Sequence, residues 1–206
     1  MPLTMPSTPG FKRSRFGLRT NTQQGLTSPL TRSTQVLLLP GAQWVASYTL
    51  PPMRRATAAP WLAFLAQLDG MAETFWGFDP DAIAPQGTGA GAPKVNGGGQ
   101  TGAALVTDGW TALSAILKAG DYVAFDVAGG RSLHMVTADV SASAGGAATL
   151  AIKPNLRASP ADNADIYVTV AAGLGVPMGL VDDGQMSWDA DELGLFSITF
   201  NAQERF

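Results

Sequence analysis

Between residues 84 and 102 the chain reads Pro85-Gln-Gly-Thr-Gly-Ala-Gly-Ala-Pro93, then Asn96-Gly97-Gly98-Gly99. Glycine loses the most backbone freedom on folding, and proline has no N–H to give to a ladder. Such a stretch reads as a boundary, and the chain on each side of it must find its own structure. A second joint follows at Gly173 and Gly175. Together the two joints predict a discontinuous domain, 30–86 with 173–206, interrupted by an inserted domain at 87–172. Insertions succeed at exposed loop tips, which suits this division. Residues 1–29 are left as an N-terminal arm. They hold Pro2, Pro6 and Pro9, many Ser, Thr and Gln, and little apolar periodicity. A segment of that composition cannot fold alone. It must lie on its own domain or on a neighbour.

Periodicity supplies the elements. In the segment 43–50, Trp44, Ala46, Tyr48 and Leu50 recur at every second position, the signature of a half-buried strand. With Thr34-Gln-Val-Leu-Leu-Leu39 before it and Pro40-Gly41 between, it predicts a β-hairpin over 34–50. Pro51-Pro52 ends that hairpin. Trp61, Phe64, Leu65 and Leu68 fall at i, i+3, i+4 and i+7, predicting a helix over 57–69. Pro60 fits its first turn, and Gly70 suits the left-handed position past its end. A strand is expected at 73–78. Beyond the first joint, turns at Gly120-Asp121, Gly129-Gly130, Gly145-Gly146 and Asp162-Asn163 separate strands expected at 122–127, 131–137, 148–153 and 164–170. Short strands at that spacing suggest a small barrel or sandwich. The last part predicts strands at 176–181, 185–189 and 195–200, split by Asp182-Asp-Gly184 and Asp191-Glu-Leu-Gly194. The expected fold class is mainly β: a split β-barrel with one flanking α-helix and an inserted small all-β domain.

The residues offer little chemistry. Gly97-Gly-Gly99-Gln-Thr-Gly102 matches G-x-G-x-x-G, but no core strand precedes it and no helix follows, so a connector is the better reading. The single histidine, His134, lies in an expected strand. With no cysteines in the chain it cannot build a typical zinc site, and no G-x-S-x-G pattern accompanies it, so its expected role is structural. The acidic residues Asp182, Asp183, Asp189, Asp191 and Glu192 lack calcium-loop spacing and read as turn chemistry. Arg54-Arg55 reads as a solvated face. Trp44, Tyr48, Trp61, Phe64, Phe75, Trp76 and Phe78 read as core. No catalytic, cofactor-binding or metal-binding residue is assigned, no cofactor is expected, and the chain is expected not to be an enzyme.

Net charge is −3, whereas a dedicated nucleic-acid binder is usually strongly basic, so no dedicated nucleic-acid binding is expected. No apolar run approaches the roughly 20 residues of a membrane span. Lys12, Arg13, Arg15 and Arg19 are not followed by the apolar stretch of a secretory signal. Charged residues are only 14% of the chain, below the usual quarter. Part of such a neutral surface is expected to be covered by other subunits.

Several stretches resemble tail structural proteins of long-tailed bacteriophages, in the distal-tail or tail-hub group. They are Gln43-Trp-Val-Ala-Ser-Tyr-Thr-Leu-Pro-Pro-Met-Arg-Arg55, Trp61-Leu-Ala-Phe-Leu65 and Phe75-Trp-Gly-Phe-Asp-Pro80. Lys118-Ala-Gly-Asp-Tyr122, Leu156-Arg-Ala-Ser-Pro-Ala161 and Met178-Gly-Leu-Val-Asp-Asp183 continue the likeness over 34–206. The resemblance implies a fold similar to the tail-tube protein, with a split β-barrel, a flanking helix and an inserted β-domain. It also implies a homo-oligomeric ring, usually a hexamer, between the tail tube protein and the baseplate or hub proteins, hence a virion location. A carbohydrate- or host-receptor-binding module of the tail tip is the alternative, since small β-sandwich insertions often bind glycans. The arm 1–29 is expected to lie on a neighbouring subunit, anchored by Phe11, Phe16, Leu18 and Leu26. Its basic residues face an otherwise acidic body.

Overall fold

The computed structural model describes residues 1–181, 189–190 and 192–206. The first segment carries β1 (Arg13–Arg19), β2 (Thr22–Thr27), β3 (Thr34–Leu38), β4 (Gln43–Thr49), β5 (Met53–Arg54), α1 (Arg55–Gln67) and β6 (Phe75–Gly77). The middle carries β7 (Gly91–Val95), β8 (Gly102–Trp110), β9 (Ala115–Leu117), β10 (Tyr122–Val127), β11 (Gly130–Val136), β12 (Val140–Ser141), β13 (Ala148–Leu156) and β14 (Ile166–Tyr167). The last carries β15 (Val176–Leu180), β16 (Asp189–Ala190), β17 (Leu195–Ser197) and β18 (Thr199–Glu204). The chain is mainly β, with one α-helix among the described residues. The turn at Asp182-Asp183-Gly184 and most of the strand expected at 185–189 lie outside the described residues.

Strands from the first and last segments share one antiparallel sheet, in the order β1-β4-β18-β15-β6. A small sheet, β16-β17-β5, stands beside it. On α1, Trp61, Phe64 and Leu65 are buried, and Leu68 just beyond it is buried too, so the apolar face read from the sequence is the face that packs. The helix starts two residues earlier than expected, at Arg55, and Pro60 therefore sits two residues deeper, past the first turn. After it both Asp69 and Gly70 are left-handed, with φ of 46° and 66°. The Tyr48 hydroxyl donates to the Phe78 carbonyl at 2.6 Å, tying the sheet to the chain leaving β6.

The middle strands form a six-stranded, nearly closed barrel sheet, β14-β10-β11-β13-β8-β7. A bridge between Lys94 and Asp165 brings its two ends together, with Val95 N–H donating to the Ala164 carbonyl at 2.9 Å. This corrects the reading of 84–102 as a bare connector, since β7 and the start of β8 lie inside it. Proline is tolerated there because β7 is the terminal strand of the sheet. Gly97 and Gly99, with φ of 91° and 73°, make the turn between β7 and β8. The G-x-G-x-x-G match therefore joins strand to strand.

The expected hairpin over 34–50 is also corrected. β4 pairs with β1, from Arg19↔Gln43 to Arg13↔Thr49, and β3 pairs with β2. The chain reverses at 28–33, where Ser28 N–H donates to the Ser33 carbonyl at 2.9 Å. Packing decides the partner. Phe16 of β1 stacks on Trp44 at 5.3 Å and 21°. β3 has no comparable inward face, and all five of its residues are exposed.

The arm 1–29 is corrected for the same reason. Leu3, Phe11, Phe16 and Leu18 pack on the core of their own domain, and Met5 is part of it. Leu3 also pairs with Phe75, and the Trp61 indole donates to the Thr8 carbonyl at 3.0 Å. Of the four anchors assigned to a neighbour, only Leu26 is left free of the core.

The main sheet and the barrel are joined by burial. Tyr122, Ala124 and Leu133 belong to the main core, while their neighbours Val123 and Phe125 fill the barrel. Trp44 reaches across and donates its indole N–H to the Leu133 carbonyl at 2.7 Å. We expect Trp44→Phe to strand that buried carbonyl and cost about 1–3 kcal/mol from the lost hydrogen bond alone. Urea unfolding measures it, and an unchanged midpoint would show that the bond contributes nothing to joining the two units.

Candidate functional site

β2 and β3 form a two-stranded ribbon that continues the β1–β4 pair beyond the main sheet. The change of ladder occurs at Pro40-Gly41, where Gly41 has φ of 113° and the Asn21 amide donates to the Pro40 carbonyl. Every residue of both strands is exposed. The ribbon is nonetheless apolar. Leu26 and Leu30 are 87% and 94% exposed, and Val36, Leu37 and Leu38 are also open to solvent. A two-stranded hairpin is marginally stable in water on its own. This one exposes five large aliphatic side chains, which makes it a candidate interaction surface.

At the base of the ribbon an open cleft of about 820 Å³ separates it from the barrel and the chain's last residues. Leu38, Leu39, Pro40, Val127, Leu156 and Phe206 supply apolar walls. The polar floor is a network centred on Glu204, which is 1% exposed. Its carboxylate accepts from the Trp44 backbone N–H at 2.9 Å and from Arg157 Nη2 at 2.6 Å. The Phe206 ring lies 3.5 Å from the Arg157 guanidinium carbon. Burial pushes the Glu204 carboxyl above its ordinary range, against the pull of the backbone N–H and the guanidinium.

His134 lies deeper, fully buried and stacked on Phe125 at 5.0 Å. Its Nδ1 is 2.7 Å from the Pro154 carbonyl, which can only accept, so Nδ1 carries the proton. Nε2 therefore accepts from the Ser132 hydroxyl at 2.8 Å. That is the tautomer a serine–histidine pair needs. The electrostatics oppose such use. No carboxylate holds the ring, and burial, aided by the nearby Arg157 charge, lowers its pKa from 6.5 to about 4. A general base works best with a pKa near the working pH. The pair acts here as a neutral hydrogen-bonded strut inside the barrel wall.

The other singled-out residues fall apart in space. Arg54 and Arg55 are exposed where β5 meets α1. Trp44, Tyr48, Trp61, Phe64 and Phe75 are buried, whereas Trp76 faces outward against Arg131, whose guanidinium also covers Tyr167. Arg131 further bonds Asp126 and donates to the Gly173 carbonyl at 2.7 Å, latching the barrel to the second joint. Of the acidic residues weighed at the end of the chain, Asp182, Asp183 and Asp191 lie outside the described residues, and Glu192 is exposed. Among the described residues no three His, Asp or Glu side chains gather as metal ligands. Sequence reasoning missed the ribbon and the Glu204 network. The run Val36-Leu37-Leu38 was the available signal for the first, and nothing local announced the second. Comparison with protein-family models and with curated proteins finds no match to this chain.

Two outcomes are expected. Between pH 6.5 and about 4 the unfolded chain takes up a proton at His134 that the folded chain refuses, so stability falls as pH falls through that window. The loss is about 3 kcal/mol, and His134→Gln should remove it. With a single histidine, an imidazole NMR titration is unambiguous, and a midpoint near the ordinary value would contradict the strut. Arg157→Met leaves the Glu204 charge buried without its partner and should cost about 3–5 kcal/mol. Adding Glu204→Gln should restore most of it, and a double variant no better than the single one would contradict the pairing.

Proposed function

We propose that this chain is a non-enzymatic structural subunit of a phage tail tip or baseplate, a ring-forming distal-tail or hub protein between tail tube and baseplate. The observation that carries the proposal is the β2–β3 ribbon, with five large aliphatic residues exposed. A covering surface supplied by a second copy would bury it. Ribbon and covering surface are then different patches, so each subunit both gives and receives. Head-to-tail contacts of that kind form a ring where the rotation between subunits closes. The low charge content, 14%, agrees with a surface meant to be shared between subunits. The mainly β fold with one helix is compatible with the resemblance to distal-tail proteins, and fold alone does not define function. The β2–β3 ribbon, whose first strand lies within the arm 1–29, takes the bridging role expected of that arm. No helix among the described residues is long and apolar enough to cross a membrane.

Native mass spectrometry tests the assembly. The intact chain should run as a hexamer of 21.3 kDa subunits. Replacing 22–38 by a short glycine turn should give a folded monomer with an unchanged far-ultraviolet spectrum outside the lost ribbon. An intact chain that stays monomeric at micromolar concentration would end the ring reading, and a ribbonless chain that still forms rings would end the ribbon's part in it.

A further inference from the structure

On β4, Trp44, Ala46 and Tyr48 point into the core, so Gln43, Val45, Ser47 and Thr49 face outward. The ladders place Arg13, Arg15 and Arg19 of β1 directly beside Thr49, Ser47 and Gln43. On the other side β18 sets Thr199, Asn201 and Gln203 beside Thr49, Ser47 and Val45. Arg205 follows Gln203 on the same face and lies across Gly179, where a Cβ would come within 2.6 Å of its Nε. Its Nε and Nη2 are buried there and have no hydrogen-bond partner. The outer face of the main sheet thus presents three exposed arginines, Arg13, Arg15 and Arg19, among neutral donors, with no acidic residue on β1, β4 or β18 facing outward.

This distribution is not that of the rest of the chain. The four ion pairs, Lys94–Asp165, Lys118–Asp139, Arg131–Asp126 and Arg157–Glu204, each take their cation from the barrel segment. Of the barrel's other acids, two accept backbone N–H groups, and Asp108 is half-buried opposite Lys94 in the β7–β8 ladder. Asp121 accepts from the backbone of Gln86, Gly87 and Lys118, and Asp162 from Gly97. Among the described residues the exposed Arg13, Arg15 and Arg19 have no acidic partner.

We propose that the outer face of this sheet docks a nucleic-acid backbone through its phosphates. Guanidinium groups match phosphate geometry in a bidentate way, and Ser, Thr, Asn and Gln side chains are common phosphate donors. On β1, β4 and β18 no aromatic faces outward and Val45 is the one outward apolar side chain, while Trp76 at the far edge of the sheet is covered by Arg131, so the face grips without reading sequence. The missing apolar anchor also separates this face from an acidic protein's docking site, which would carry a buried hydrophobic centre. The negative whole-chain charge opposes the contact only at long range, within the screening length of the salt. The face belongs to a single subunit, so the proposal stands whether or not rings form.

Fluorescence anisotropy with a labelled duplex and a labelled single strand, each about 20 nucleotides long, tests it on the full chain at low salt. Log affinity falls by about 0.9 per neutralised phosphate on duplex for each unit of log salt, so three phosphates predict about a 40-fold loss between 50 and 200 mM. The triple variant Arg13→Ser, Arg15→Ser, Arg19→Ser should bind at least about tenfold more weakly and lose most of that slope. Lys94→Ser, Lys118→Ser, Lys153→Ser changes the net charge equally on the barrel and should leave binding intact. Asn201→Asp touches no arginine but sets a carboxylate beside Ser47, and it should weaken binding too. Failure to bind at low salt, wild-type affinity in the arginine variant, or equal loss in the lysine variant would overturn the proposal. A polyglutamate peptide competing as well as DNA would assign the face to an acidic protein and overturn it likewise.

Discussion

Strands β10 and β11 are buried on both faces, and the rest of the molecule is arranged around that wall. Tyr122, Ala124 and Leu133 look into the main core, while Val123, Phe125 and His134 look into the barrel. A strand buried on both sides cannot alternate apolar with polar, and Tyr122-Val-Ala-Phe125 indeed runs apolar without a break. The two units therefore share side chains, and neither core is complete without this wall. Trp44 fixes the contact chemically by donating to a carbonyl of β11.

Polar groups secure the seams that the wall leaves. Asp121, 3% exposed, accepts three backbone N–H groups where the chain enters β10 and where residues 86 and 87 pass it. Arg131 does the equivalent at the exit, holding the Gly173 carbonyl while sandwiched between Trp76 and Tyr167. Glu204 closes the third seam, replacing a ladder bond to Trp44 with its own carboxylate. Each places one buried or half-buried charge among several donors or acceptors, the condition under which burying charge is tolerable.

The ribbon and the outer sheet face share an origin in β1 and its continuation β2. One continuous stretch, 13–27, is half packed and half free. The packed half turns Phe16 and Leu18 inward and Arg13, Arg15 and Arg19 outward; the free half exposes Leu26. Apolar exposure on the ribbon suits a protein neighbour, whereas the neutral and basic sheet face suits phosphate. The reading as a tail-ring subunit and the reading of a backbone-binding face thus rest on different atoms.

Local patterns settled much before any tertiary contact was known. The two-residue alternation of Trp44, Ala46 and Tyr48, the helical spacing of Trp61, Phe64, Leu65 and Leu68, and the glycine turns ahead of β10, β11 and β13 depend only on chain geometry, and all are present in the structure. The strand that carries His134 was legible too, and it is β11. What sequence could not decide was partnership. Whether β4 pairs with β3 or with β1 depends on which strand offers Trp44 an aromatic, and Phe16 lies far outside any local window. Strand β7 hid in glycine and proline because an edge strand tolerates residues that a central one does not. Glu204 meets Trp44 across 160 residues, and Arg157 meets Glu204 across 47. Contacts of that range carry no periodic signal. Only the closed chain decides them, because the energy that selects them is burial shared between segments with no common pattern.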